Sequence, residues 1–218
     1  MSNRIYIKTS IPSFYFTERK SPDAIARKNW TRQWWEEYSS HFTLLTSTAV
    51  IYELRQGKNN ITVDRINLLK DIELLEITQE IEELTAIYIE KKVMPNDPAG
   101  DALHLALASF HKTDVLLTWN CRHIANPNKF NHIRMINYEL GLPTPILTTP
   151  MNYLTGVMMI EEKEMAEIRR IRHQISAQFE HEPRKVVADY RRFEKEYRES
   201  GEFSERKVDR TKRNFVPL

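Results

Sequence analysis

The sequence predicts an α/β fold with a central, mostly parallel sheet and a C-terminal helical extension. Val115, Leu116 and Leu117 form an unbroken apolar run, as expected of a parallel strand buried on both faces. Just before it, Leu103, Ala106, Leu107 and Phe110 repeat at helical spacing and give a helix its apolar face. From Met158 the chain becomes dense in Arg and Glu and confines its apolar residues to one-sided stripes, which sets the extension apart.

In chain order, Ile5–Ile7 reads as the first strand and runs into Lys8, Thr9 and Ser10. Ser21 to His41 reads as one long helix with Trp30, Trp34 and Tyr38 at i, i+4 and i+8. Arg27, Lys28 and Arg32 are interleaved with them, so stacking on single-stranded RNA is one reading. An aromatic stripe in the core or at a dimer interface is the favoured one. Phe42–Thr46 is the second strand, and Thr48–Gln56 a helix stopped by Gly57, with Glu53 inside an otherwise apolar stretch. A helix Val63–Leu69, a strand Leu74–Ile77 and a helix from Gln79 to Lys91 follow, the last with a charged outer face.

Asp97 as N-cap and Pro98 at the first helical position start the next helix, which puts Asp101 in its first turn. Beyond the strand Val115–Leu117 come Thr118, Trp119 and Asn120. Ligands of open α/β sheets sit past the carboxyl ends of strands, so chemistry is expected at Asn120. A helix Lys129–Leu140 ends at Gly141, and the strand Pro145–Thr148 closes the domain. His123 and His132, with no third ligand in sequence, point to surface or backbone-bonding roles. Arg122 and Lys129 are candidate phosphate contacts.

Composition bounds the function. The chain has 218 residues, 41% of them hydrophobic, enough for one sizeable core and an appendage. No apolar run reaches membrane-spanning length and no signal peptide is read at the N-terminus, so a cytoplasmic protein is expected. A lone Cys121 excludes an intrachain disulfide and a multi-cysteine zinc site. A net charge of +2 is too small to attract nucleic acid globally, so any RNA contact must come from a local patch.

Four segments together resemble one family. RIYIKTSIPSFYF at residues 4–16, TSTAVIYEL at 46–54, DALHLALA with LLTWNCRHIAN, and PILTTP at 145–150 resemble, in order, the opening strand, second motif, third and fourth motifs and closing strand of the PIN-domain nucleases, specifically VapC-like toxins. The resemblance covers residues 1–155 and implies a compact α/β/α fold, a toxin–antitoxin setting, a homodimer, and magnesium- or manganese-dependent hydrolysis of RNA. It assigns Glu53 and Asp101 as metal-holding carboxylates, Asn120 as the residue that commonly replaces a fourth acid, and Ser10 as a supporting hydroxyl. Magnesium would lower the pKa of an attacking water and neutralise charge on the phosphate. It is held by carboxylates, waters and substrate oxygens.

Lys8 departs from that pattern, because the family usually has an acid there. The exchange alters the local charge by two units, each worth roughly 4 kcal/mol at about 4 Å and an effective dielectric near 20. Three readings follow. The nuclease is active, its ion held by the remaining ligands and RNA phosphates; or Lys8 takes the metal's place in an inactive RNA- or protein-binding regulator; or the substitution was introduced to silence a toxic protein.

In the extension, residues 156–218, Met165, Ile168, Ile171, Ile175 and Phe179 make one stripe. After Pro183, residues Val186, Val187, Tyr190, Phe193 and Tyr197 make a second. Neither can bury its face alone, so each must pack on the first domain, on the other stripe or on a partner. The run from Glu167 to Glu196 resembles the small antitoxin-like companion of PIN proteins, which implies restraint in cis or a homologous antitoxin in trans. A basic tail with Arg206, Lys207, Arg210, Lys212 and Arg213 would either reach Glu53 and Asp101 or collect RNA.

Overall fold

The computed structural model describes residues 3–57, 60–93, 100–120, 124, 127–155, 170–171 and 174–201. Strands β1 (Arg4–Ile7), β2 (Thr43–Ser47), β3 (Glu73–Leu75), β4 (Val115–Leu117) and β5 (Ile146–Thr148) form one sheet in the order β3-β2-β1-β4-β5. Every pairing is parallel, with Ile5 beside both Leu44 and Val115, Leu45 beside Glu73, and Leu116 beside Leu147.

Parallel neighbours need crossovers, and helices supply them. Helices α1 (Ser10–Tyr15) and α2 (Pro22–Gln33) connect β1 to β2, and α3 (Thr48–Gln56) and α4 (Thr62–Asn67) connect β2 to β3. From β3, α5 (Gln79–Glu90) and α6 (Gly100–Phe110) lead across the sheet to β4; α7 (Pro127–Glu139) then leads to β5, and α8 (Pro150–Thr155) follows. The chain therefore builds outward from β1 on one side, then returns and builds on the other. The carboxyl ends of β1 and β4 flank that reversal, the place where open α/β sheets form a crevice.

The apolar strands and helix α6 fill the centre. Ile5, Tyr6, Ile7, Leu116 and Leu117 are fully buried, and α6 is buried from Gly100 to Ser109. The expected helix start at Asp97 and Pro98 lies outside the described residues. Helix α7 ends in a Schellman turn, as its glycine suggested. Gly141 has φ +67°, Leu142 N–H bonds Asn137 O at 2.8 Å and Gly141 N–H bonds Tyr138 O at 3.1 Å.

The single helix expected over residues 21–41 is three pieces. After Gln33 the chain continues as a π-helical turn, Trp34–Tyr38, and a 3₁₀ turn, Ser39–His41. The wider turn breaks the 3.6-residue spacing, so the stripe does not continue to Tyr38, which is 36% exposed. Trp34 is fully buried, stacked on Phe42 (6.2 Å) and edge-on to Tyr153 (6.0 Å). The cations between these aromatics serve the fold: Arg27 lies 5.2 Å from the rings of both Phe14 and Trp119, Lys28 bonds Thr17 O and Arg32 bonds Tyr15 O.

Helix α9 (Pro183–Glu199) packs on α3 and α5. Its stripe residues Val186, Val187, Tyr190 and Tyr197, with Ile171 and Ile175 before it, join the same apolar core as the sheet. Polar contacts fix the seat: Asp189 accepts from the Tyr52 hydroxyl (2.8 Å), Glu194 from Ile77 N–H (3.0 Å), and Arg198 donates to Leu74 O (3.2 Å).

Burial, then the hydrogen bond and charge of Asp189, push the Tyr52 hydroxyl up to about 12; burial alone pushes Tyr88 up to about 12. A raised pKa contributes stability that is complete below the ordinary value of 10 and is lost as pH rises through the folded-state value. The urea midpoint is therefore expected to fall between about pH 9.5 and about pH 12, and Tyr52→Phe and Tyr88→Phe should each flatten part of that fall.

Candidate active site

The site is assembled where β1 and β4 end. Lys8 N–H continues the ladder to Leu117 O (3.2 Å), and Thr118 N–H does the same to Thr148 O (2.9 Å). Ser10 ties the two strand ends together: its hydroxyl meets that of Thr118 (3.2 Å) and accepts from Trp119 N–H (2.9 Å). Trp119 is fixed in turn by its indole N–H on Thr31 (2.8 Å) and by Trp30 stacked at 6.3 Å, which leaves Asn120 little freedom.

Lys8, Asp101 and Asn120 meet. The Lys8 ammonium is ion-paired with Asp101 Oδ1, and both side chains are 0% exposed. Asn120 donates its amide Nδ2 to Asp101 Oδ2. Glu53, from α3, lies in an adjoining cluster, where Thr9 donates to its Oε2 and His104 bonds its Oε1 at 3.1 Å. The clusters are joined through the chain, because Lys8 and Thr9 are neighbours and Asp101 and His104 lie one turn apart on α6.

His104 belongs to this candidate site, although the sequence did not single it out. A carboxylate only accepts, so the imidazole Nε2 carries the proton toward Glu53, while Nδ1 lies 2.7 Å from the Tyr6 hydroxyl in a second hydrogen bond. The Tyr6 hydroxyl is also hydrogen-bonded to that of Ser47 at 2.7 Å, giving a buried line from Ser47 through Tyr6 and His104 to Glu53. A polar residue three positions after Asp101 in a helix buried all round was the available signal.

Around this core, half-buried Lys129 on α7 is close enough to feel the charge of Asp101, although burial holds its pKa below the ordinary lysine value. His132 bonds Lys91 O (2.9 Å), the backbone role expected of it. Arg122, His123 and Asn126, and the tail from Arg206 to Arg213, lie outside the described residues.

A divalent ion does not fit this arrangement. Both oxygens of Asp101 face a donor, as do both oxygens of Glu53, and Asn120 turns its N–H toward Asp101. Among the described residues no three His, Cys, Asp or Glu side chains come together as a metal group. An ammonium about 4 Å from a double charge would also oppose binding by roughly 8 kcal/mol at an effective dielectric near 20. The Lys8 ammonium neutralises Asp101 directly.

Breaking a buried pair strands the remaining charge. Lys8→Met should destabilise the chain by about 3–5 kcal/mol, and adding Asp101→Asn should recover a large part of that. Denaturant unfolding of the two single variants and the double variant measures the coupling.

Comparison with family models, with curated proteins and with solved structures gave no match to this chain. The functional reading therefore rests on the site and its sequence motifs.

Proposed function

We propose that this chain is an RNA-directed module of the PIN, VapC-like toxin type in which Lys8 stands in for the metal. It holds RNA phosphates without hydrolysing them. The observation that supports this is the fully buried Lys8–Asp101 ion pair at the carboxyl end of β1. With an acid at position 8, the site would hold three carboxylates and depend on a cation for charge balance. With lysine, Asp101 is balanced internally, and the groups that activate water through a metal are turned to one another. Lys129, half-buried and near Asp101, supplies a cation for a phosphate.

The second reading is an active magnesium-dependent endoribonuclease of a toxin–antitoxin pair. It is favoured by one observation: the motif residues Glu53, Asp101 and Asn120 belong to two adjoining buried clusters at the sheet's reversal.

One experiment separates the readings. A pooled RNA is incubated with the parent, Lys8→Asp and Lys8→Asp/Asp101→Asn, with magnesium, manganese or chelator. The parent should bind without cleaving, Lys8→Asp should gain metal-dependent cleavage, and the double variant should lose it. Magnesium should also raise the melting temperature of Lys8→Asp alone, by up to about 2.7 kcal/mol of stabilisation at one hundred times its Kd. Metal-dependent cleavage by the parent equal to that by Lys8→Asp would favour the second reading, and absence of cleavage in both would sink it. For binding, Lys129→Ala should reduce the slope of log K against log salt by about 0.7, the value of one single-strand phosphate contact.

A further inference from the structure

Helix α3 is gripped from two sides. On one, Glu53 is held by Thr9 and His104. One residue earlier, about 100° round the helix, Tyr52 is held by α9: its hydroxyl on Asp189 (2.8 Å), its ring edge-on to Tyr190 (4.9 Å) and Phe193 (5.0 Å). One turn on, the Arg55 guanidinium lies over Phe193 (5.3 Å) and Tyr197 (4.9 Å). The segment before α9 reaches the end of the same helix, since Gln56 lies in a cavity with Ile171, Gln174 and Ile175. No comparable redundancy is needed to bury a stripe of aliphatic residues. Two aromatic contacts, a hydroxyl–carboxylate bond and a stacked cation fix the rotation and height of α3 as well as covering it.

We propose that α9 is a cis-acting clamp on α3, and that Tyr52 and Asp189 are positioning residues that hold Glu53 in register with Thr9 and His104. The inference rests on the reading of Glu53 as a site residue. Helix α3 has nine residues, too few to keep its geometry without tertiary contacts. With α9 released, α3 loses the contacts of Tyr52 with α9 and the stacking of Arg55 on Phe193 and Tyr197 together, and the helix that carries Glu53 is less firmly set. The seat also has a second anchorage independent of α3. Arg198 holds Leu74 O of the edge strand β3, Glu194 holds Ile77 N–H just past it, and Arg191 pairs with Glu82 of α5 (3.5 Å). This anchorage lets α9 press on α3 from a position fixed by the sheet.

The test uses the full chain, without RNA or metal, so its outcome is separable from the proposed function. Val187→Asp places a charge in the apolar seat. Hydrogen exchange over 183–199 reports release of α9; exchange over 48–56 and the ring ¹⁵N resonances of His104 report the site. The expected result is release of α9 with about tenfold faster exchange in α3 and shifted His104 resonances, while 100–110 keeps its protection. Release of α9 with α3 exchange and His104 resonances unchanged would overturn the proposal. If Val187→Asp does not fold, the milder Tyr52→Phe/Asp189→Asn pair is read by the same His104 resonances, and unchanged resonances in that folded variant overturn it equally.

Discussion

A parallel strand in the middle of a sheet must be apolar on both faces, and the price falls on whatever follows it. In β1 the buried run Ile5–Ile7 delivers Lys8 into the interior before the chain can turn, because α1 starts only at Ser10. A lysine there cannot reach water and needs an anion. Asp101 supplies it from the first turn of α6, 93 residues away, which ties that helix to the end of β1. Asn120, Ser10 and Thr118 then follow from the same strand ends. The site is thus a consequence of how the sheet reverses, with charge balance deciding its detail.

Much of the fold was legible because its signals are local. The apolar runs of β1 and β4, the helix from Thr48 to Gln56 and the glycine stop at Gly141 depend on residues within one element. Lys8, Ser10, Glu53, Asp101 and Asn120 could be picked out one by one as candidates. Their mutual arrangement was not legible, because side-chain pairing across 44 to 93 residues leaves no periodic trace. His104 was hidden for a related reason. Within an alanine- and leucine-rich helix it reads as a lone polar interruption until Glu53 and Tyr6 arrive from other elements. The π-helical turn at Trp34 also had no local marker, since tertiary packing of Trp34 on Phe42 and Tyr153 accompanies it. For α9, amphipathicity announced that a partner face was required and said nothing of which one.

The two edges of the sheet are treated differently. Beside β3, Arg198 of α9 donates to Leu74 O and Glu194 accepts from Ile77 N–H just past the strand, and covering an edge is a recognised means of keeping it from pairing. At β5, Ile146 remains 65% exposed on a strand of three residues, short enough to give little template for pairing.

The sequence separation of the α9 contacts also imposes an order in time. Tyr52 and Asp189 are 137 residues apart, and Glu199 at the end of α9 comes 51 positions after Thr148 at the end of β5. At synthesis rates of ~5–20 residues per second, the sheet is complete roughly 3–10 s before its last cover can be. During that interval the nascent chain carries an uncovered aromatic and aliphatic face on α3 and α5 and an open edge at β3.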